Sequence, residues 1–294
     1  MYTFSSKLKT FSFVLMLVGI LGIGYGFLTA PKDIQEVEQL LKADSHGDHH
    51  AAANTESHDA HAAAGHDAHA DAEHKAHLEH VLHQLQNKPW AAFYVACIFF
   101  MLVSLGVLVF YAIQQVAQAG WSPVLFRVMQ GITSYLPVGS VIFFIFLLLC
   151  GFHMNHLFIW LDPEVVAHDK LIQAKAGYLN FPFWIIRAAI FLLGWSAYQY
   201  FSRKNCLAQD ESNDNSFYKK NFNISAMFLV FFIVTESIMS WDWIMSIDPH
   251  WFSTLFGWYV FASFFVSGIT VICMVTLYLK AQGVLEYVNT SHIH

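Results

Sequence analysis

Charge is what this chain has least of. Asp, Glu, Lys and Arg make up only 12% of its 294 residues, against roughly 25% in soluble domains. Cysteine is nearly absent too. The four residues Cys97, Cys150, Cys206 and Cys273 are scattered, three of them inside apolar runs, and no two form a CxxC pair. That excludes a disulfide framework and offers no ligand set for structural zinc or an iron–sulfur cluster. There is no phosphate-binding glycine loop, no nucleophile elbow and no HExxH helix. Histidine is missing from the middle of every long apolar run. A membrane b-haem needs facing histidines well inside a helix bundle, so a cytochrome b is excluded as well.

What the chain has is apolar length. Hydrophobic residues reach 56% and aromatic residues 17%, and they gather into runs of about 20 residues, enough to cross a bilayer as helices. Buried strands of a soluble protein would give runs of roughly 4–8 residues between turns. Six spans are expected: Phe11–Leu28, Trp90–Val116, Ile132–Gly151, Phe181–Phe201, Phe222–Met245 and Phe252–Leu279. The fold class is therefore all-α integral membrane. The organisation reads as an N-terminal anchor over residues 1–30, a polar insert over 31–89, a four-helix membrane bundle over 90–245, and a sixth helix with a polar tail over 246–294. The first span is read as an uncleaved anchor, because Pro31 follows the small-residue site Leu28-Thr29-Ala30 and suits cleavage poorly.

The insert opens on a short helix, Asp33–Leu41, and then becomes an Ala/His/Asp tract. Eleven of the 17 histidines fall between His46 and His83. Such tracts can hold zinc, copper or nickel through neutral imidazole, with His49, His50, His58 and His61 as candidates. No ligand spacing repeats, so the tract reads first as a solvated tether and no metal is assigned. Residues Glu73–Leu85 gain helix formers and lead toward Trp90.

The formal charge of −6 resides in loops, and nothing there points to nucleic acid. The positive-inside rule orients the chain. The compact basic loop Arg203–Lys220 belongs inside with the N-terminus. The His tract, the loop Met154–Asn180 and the turn Ser246–His250 then face outward. In the outer loop, Asp162 as N-cap, Pro163 at the first position and Gly177 beyond the end predict one interfacial helix.

The few intramembrane charges are the candidate site. Arg187 lies about six residues, roughly 9 Å, inside the fourth span. Glu236 lies about five residues, roughly 8 Å, before Trp241 on the antiparallel fifth span. A bare charge in hydrocarbon is costly and usually marks a functional path or a pair. The expectation is an Arg187–Glu236 pair, with Asp242 shallower on the same proton path or buried polar patch. His153, His156, Asp248 and His250 are expected as interfacial polar residues.

Two stretches carry a resemblance: Tyr178-Leu179-Asn180-Phe181-Pro182-Phe183-Trp184-Ile185-Ile186-Arg187, and Ser246-Ile247-Asp248-Pro249-His250-Trp251-Phe252-Ser253-Thr254-Leu255-Phe256-Gly257-Trp258-Tyr259. Over roughly Trp90–Lys280 the chain resembles the NrfD/polysulfide-reductase-type membrane subunits, and more closely the ActF-type subunit of alternative complex III. The resemblance implies a membrane subunit of a respiratory quinol:electron-acceptor oxidoreductase in a bacterial inner membrane. It implies no cofactor bound directly, menaquinol or quinone nearby, and haem c and iron–sulfur clusters in partner subunits. Those partners would be an ActC-like sister membrane subunit, an iron–sulfur subunit, multihaem cytochrome c subunits and a terminal oxidase, all meeting in the lipid bilayer. Such subunits carry two four-helix bundles and about ten spans, so six spans suggest a C-terminally incomplete piece whose sixth helix opens a second bundle. Two other readings stand beside this one: a metal-ion transporter with a His-rich collecting loop, and a structural scaffold.

Overall fold

The computed structural model describes residues 6–45, 67–289 and 292. The described chain is helical, with no strand among the described residues, and six of its helical segments are long and apolar enough to span a bilayer. The protein is an all-α integral membrane protein. It divides into a smaller unit, Thr3–Phe93, and a larger one, Tyr94–His294.

The smaller unit holds α1 (Ser6–Thr29), α2 (Ile34–Ser45) and the first part of α3 (Asp67–Ala117). No residue of α1 is buried by protein, as suits a helix whose solvent is lipid. Its end is fixed by close contacts. A Cβ added at Gly26 would sit 3.3 Å from the Pro89 ring, Phe27 meets Trp90 edge-on with centroids 5.0 Å apart, and the Gln86 amide donates to the Pro31 carbonyl at 3.1 Å. Helix α3 begins well before the expected Trp90, and its spanning part covers Val81–Ala117.

In the larger unit, α4 (Phe126–Thr133) and α5 (Leu136–Gly151) follow α3 and together make one span, broken just ahead of Pro137. Two short helices follow, α6 (Pro163–His168) and α7 (Lys170–Lys175), where one was expected. Asp169 divides them: its carboxylate accepts the Leu171 and Ile172 amides at 2.8 and 3.2 Å and so starts a new helix. The expected stop at Gly177 is not a left-handed cap, since the closing residue Ala176 is right-handed.

Helix α8 (Phe181–Glu211) starts where Asn180 accepts the Phe183 amide at 3.1 Å and Pro182 occupies the first turn. It runs ten residues past the expected Phe201. Helix α9 (Ser216–Met239) continues into a π-helical turn, Ser240–Ile244, and a 3₁₀ turn, Met245–Ile247. Helix α10 (Phe256–Ala281) completes the unit.

Helical periodicity selects the buried faces. On α8 they include Trp184, Arg187, Phe191, Trp195 and Tyr198, and on α9 Asn221, Ser225, Phe228, Phe232 and Glu236. Ile190 and Leu193 point outward, more than half exposed, which in a bilayer means contact with acyl chains. Trp184, Trp195 and Trp243 are fully buried. The Trp243 ring lies edge-on to Phe143 at 4.9 Å and to Trp195 at 5.9 Å.

Helix α10, expected to open a second bundle, closes on the first. A Cβ on Gly106 of α3 would meet the Phe264 carbonyl of α10, and a Cβ on Gly268 would fall 2.9 Å from the Val107 nitrogen. Two glycines therefore let the backbones of α3 and α10 touch, which is how membrane helices gain packing without a hydrophobic drive between them.

Candidate functional site

The site lies at the end of the bundle that carries His250. Asp242, in the π-helical turn, is fully buried, and Arg187 of α8 is 7% exposed. The guanidinium grips the carboxylate with two bonds, Nε to Oδ2 at 2.6 Å and Nη2 to Oδ1 at 2.8 Å. This bidentate geometry is the strong form of the pair. The backbone on both sides is held as well. The Trp184 indole and the Ser246 hydroxyl donate to the Asp242 carbonyl at 2.9 and 2.6 Å, and the Tyr94 hydroxyl donates to the carbonyl of Trp243. Arg187 also donates to the Tyr178 carbonyl at 3.3 Å, and its charge rests on the rings of Tyr178 and Phe183 at 4.1 and 4.2 Å. Burial, and then the Asp242 charge beside it, push the Tyr178 phenol well above its ordinary value.

The expected Arg187–Glu236 pair does not form; Asp242 takes the arginine. Glu236 and Asp242 are six residues apart, so on a regular helix they point about 120° apart and only one can face α8. The π-helical turn sets which one does. Glu236 is 4% exposed; its Oε2 accepts from Ser237 Oγ at 3.2 Å, and its Oε1 has no partner among the described residues. The three charges thus separate into a closed pair and a buried carboxylate with one free oxygen.

The interfacial candidates behave differently from one another. His250 Nε2 meets Asp169 Oδ2 at 2.5 Å, and its ring lies 3.7 Å from Asp248. Asp248 also accepts the His250 amide at 3.1 Å, and Lys175 Nζ donates to the Pro249 carbonyl at 2.6 Å. Helix α7 is thereby clasped to the turn before α10. The Ile172 amide first, then His250, hold the Asp169 carboxyl below its usual value. His156 stands 3.9 Å from Asp162. His153 is exposed and left-handed at φ 56°, closing α5. The tract candidates His49, His50, His58 and His61 lie outside the described residues.

No family model and no curated protein matches the chain. The site therefore stands on its own geometry.

Sequence reasoning missed three residues here. Tyr178 lay within the quoted stretch but had been given no role. Asp169 carried a cap signal, an Asp ahead of apolar helix formers, that the longer Asp162–Gly177 reading absorbed. Lys175 had no local signal at all. A second polar cluster, at the opposite end, was also missed. The Tyr111 hydroxyl is approached by the side chains of Gln115 at 3.0 Å, Asn221 at 2.9 Å, Ser202 at 3.2 Å and Gln130 at 3.3 Å. Gln130 accepts from Arg127, which pairs with Asp210 at the surface. Between the two clusters the buried face of α9 is Phe228 and Phe232.

Proposed function

We propose that this chain is a cofactor-free membrane subunit of a respiratory quinol:electron-acceptor oxidoreductase complex. In this reading the N-terminus is cytoplasmic and the His250 end faces the periplasm. The chain anchors iron–sulfur and multihaem subunits on that face, beside an ActC-like sister subunit, and carries protons released there. Quinol oxidation yields two electrons and two protons. The electrons pass to metal centres in the partner subunits, and the protons must leave through groups that can bind and release them.

The observation that carries the reading is Glu236. A carboxylate inside a span, buried and with one oxygen unpaired, is expensive to keep. A purely structural role would be served as well by glutamine. A proton carrier must instead stay short of full hydrogen bonding, so that gaining and losing a proton are both accessible. Arg187 and Asp242 satisfy each other and sit on the structural side of the ledger: they pin the loop at Tyr178 and the π-helical turn against α8. This favours the scaffold reading for those two residues and leaves Glu236 as the proton-carrying group. The apolar layer at Phe228 and Phe232 separates Glu236 from the cluster around Tyr111, so the proposed path serves release at the His250 end.

The test is purification of the full chain by a terminal tag from its native membrane. Co-purifying haem and iron–sulfur subunits, with quinol:acceptor turnover in the preparation, are expected. A chain that purifies alone, or with a transport ATPase and no redox subunit, would overturn the proposal.

A further inference from the structure

At the His250 end, between α7 and the turn that follows the π-helical segment, lies a cavity of about 560 Å³. Its walls include Leu171, Tyr178, Trp241, Met245, Trp251 and Phe252. The volume lies within the roughly 300–1,000 Å³ of small-molecule sites, which are mostly apolar with few polar groups. The clasp of Lys175 on Pro249 crosses one side of it.

We infer that this cavity binds a membrane amphiphile that presents a carbonyl oxygen to Trp241. The Trp241 indole N–H is buried and has no acceptor among the described residues. Indole nitrogen can only donate, and in hydrocarbon no water supplies the missing acceptor. An occupant with an acceptor oxygen and an apolar body meets both requirements. Charge argues against a soluble ion as the occupant. The neighbouring Arg187 and Asp242 close on each other, and the Lys175 ammonium is engaged by a backbone carbonyl. The aromatic walls suit a flat ring or an acyl ester. Two molecules of the bilayer share this chemistry, an isoprenoid quinone and the ester region of a phospholipid. Only the quinone source rests on the function proposed above; the site itself does not.

The experiment is photolabelling of the full chain in lipid nanodiscs with two probes, an azido-naphthoquinone and a phosphatidylethanolamine bearing a diazirine near its ester. Adducts are mapped by peptide mass spectrometry. At least one probe is expected to concentrate in residues 171–179 and 241–252, and to be displaced by its unlabelled parent. Ala174 is exposed and lines the cavity, so Ala174→Trp should fill the space and remove the labelling. Trp241→Phe keeps the ring and removes the donor; it should weaken labelling roughly three- to tenfold, the worth of one hydrogen bond. A quinone adduct identifies the first source and a lipid adduct the second. Adducts spread over the lipid-facing helices, indifferent to competitor and to Trp241→Phe, would overturn the inference. If Ala174→Trp fails to accumulate, competition on the native chain decides. Loss of the cavity site with retained redox partners would refute this inference alone and leave the proposed function standing.

Discussion

Removing one member of the Arg187–Asp242 pair should destabilise the protein far more than removing both. The pair is bidentate at 2.6 and 2.8 Å, and the side chains are 8% and 0% exposed. Breaking a buried pair typically costs about 3–5 kcal/mol, because the remaining charge is stranded, whereas replacing both with apolar residues of similar size is often near neutral. Against a total stability of about 5–15 kcal/mol, that is a third or more of the whole. The two single variants should also differ. Arg187→Leu strands a carboxylate, which can take up a proton. Asp242→Asn strands a guanidinium, which cannot release one. It also leaves the bonds from Trp184 and Ser246 intact, because both go to the Asp242 backbone carbonyl. Asp242→Asn should therefore be the worse of the two, and Arg187→Leu with Asp242→Leu the mildest of the three. The assay is thermal unfolding in detergent followed by circular dichroism, with yield from membranes as a second readout. A double variant as damaged as Asp242→Asn would refute the argument, as would an Asp242→Asn protein that melts with the native one.

Three further outcomes are expected. Gly106→Ala should cost about 1–3 kcal/mol, the range for overpacking, because the new methyl meets the Phe264 backbone; melting of the variant checks it. The Asp169–His250 clasp should survive from neutral pH down through the ordinary carboxylate value of about 3.9 and open below it. The Asp169 carboxyl is held low in the folded state, so its contribution is present above the unfolded value and lost as pH falls through the folded one. A spin label at Ala174 should report that change, and His250→Ala should free the label already at pH 7. Orientation is checked with single cysteines in a background lacking Cys97, Cys150, Cys206 and Cys273: an impermeant reagent from outside should label one placed at Ser57 and spare one at Ser212, and the reverse pattern would contradict the proposed topology.

Much of the fold was legible in the chain because hydropathy sets span positions directly, and the Asn180-Phe181-Pro182 start of α8 is a local signal. The ends were harder. Helix α8 runs on to Glu211 and α3 starts by Asp67, since polar helix carries no apolar signal where it leaves the bilayer. The burial of Arg187 and Asp242 followed from the cost of charge in hydrocarbon. Which carboxylate meets Arg187 did not. That choice depends on the π-helical turn at Ser240–Ile244, and nothing in Ser-Trp-Asp-Trp-Ile sets it apart from ordinary helix. The turn is a matter of tertiary fit, with Trp243 fully buried against Phe143 and Trp195. The closure of α10 on α3 has the same origin: Gly106 and Gly268 are visible in the sequence, but their meeting is not.

The central claim is that this chain carries protons from quinol oxidation through Glu236. The direct measurement is quinol:acceptor turnover together with proton release from proteoliposomes, comparing the native complex with Glu236→Gln. The variant should assemble fully and melt no lower than the native protein, because it replaces a buried carboxylate whose Oε1 has no partner among the described residues. It should nonetheless lose most of its turnover and the proton release coupled to it. A Glu236→Gln complex that assembles, oxidises quinol and releases protons at the native rate would contradict the account.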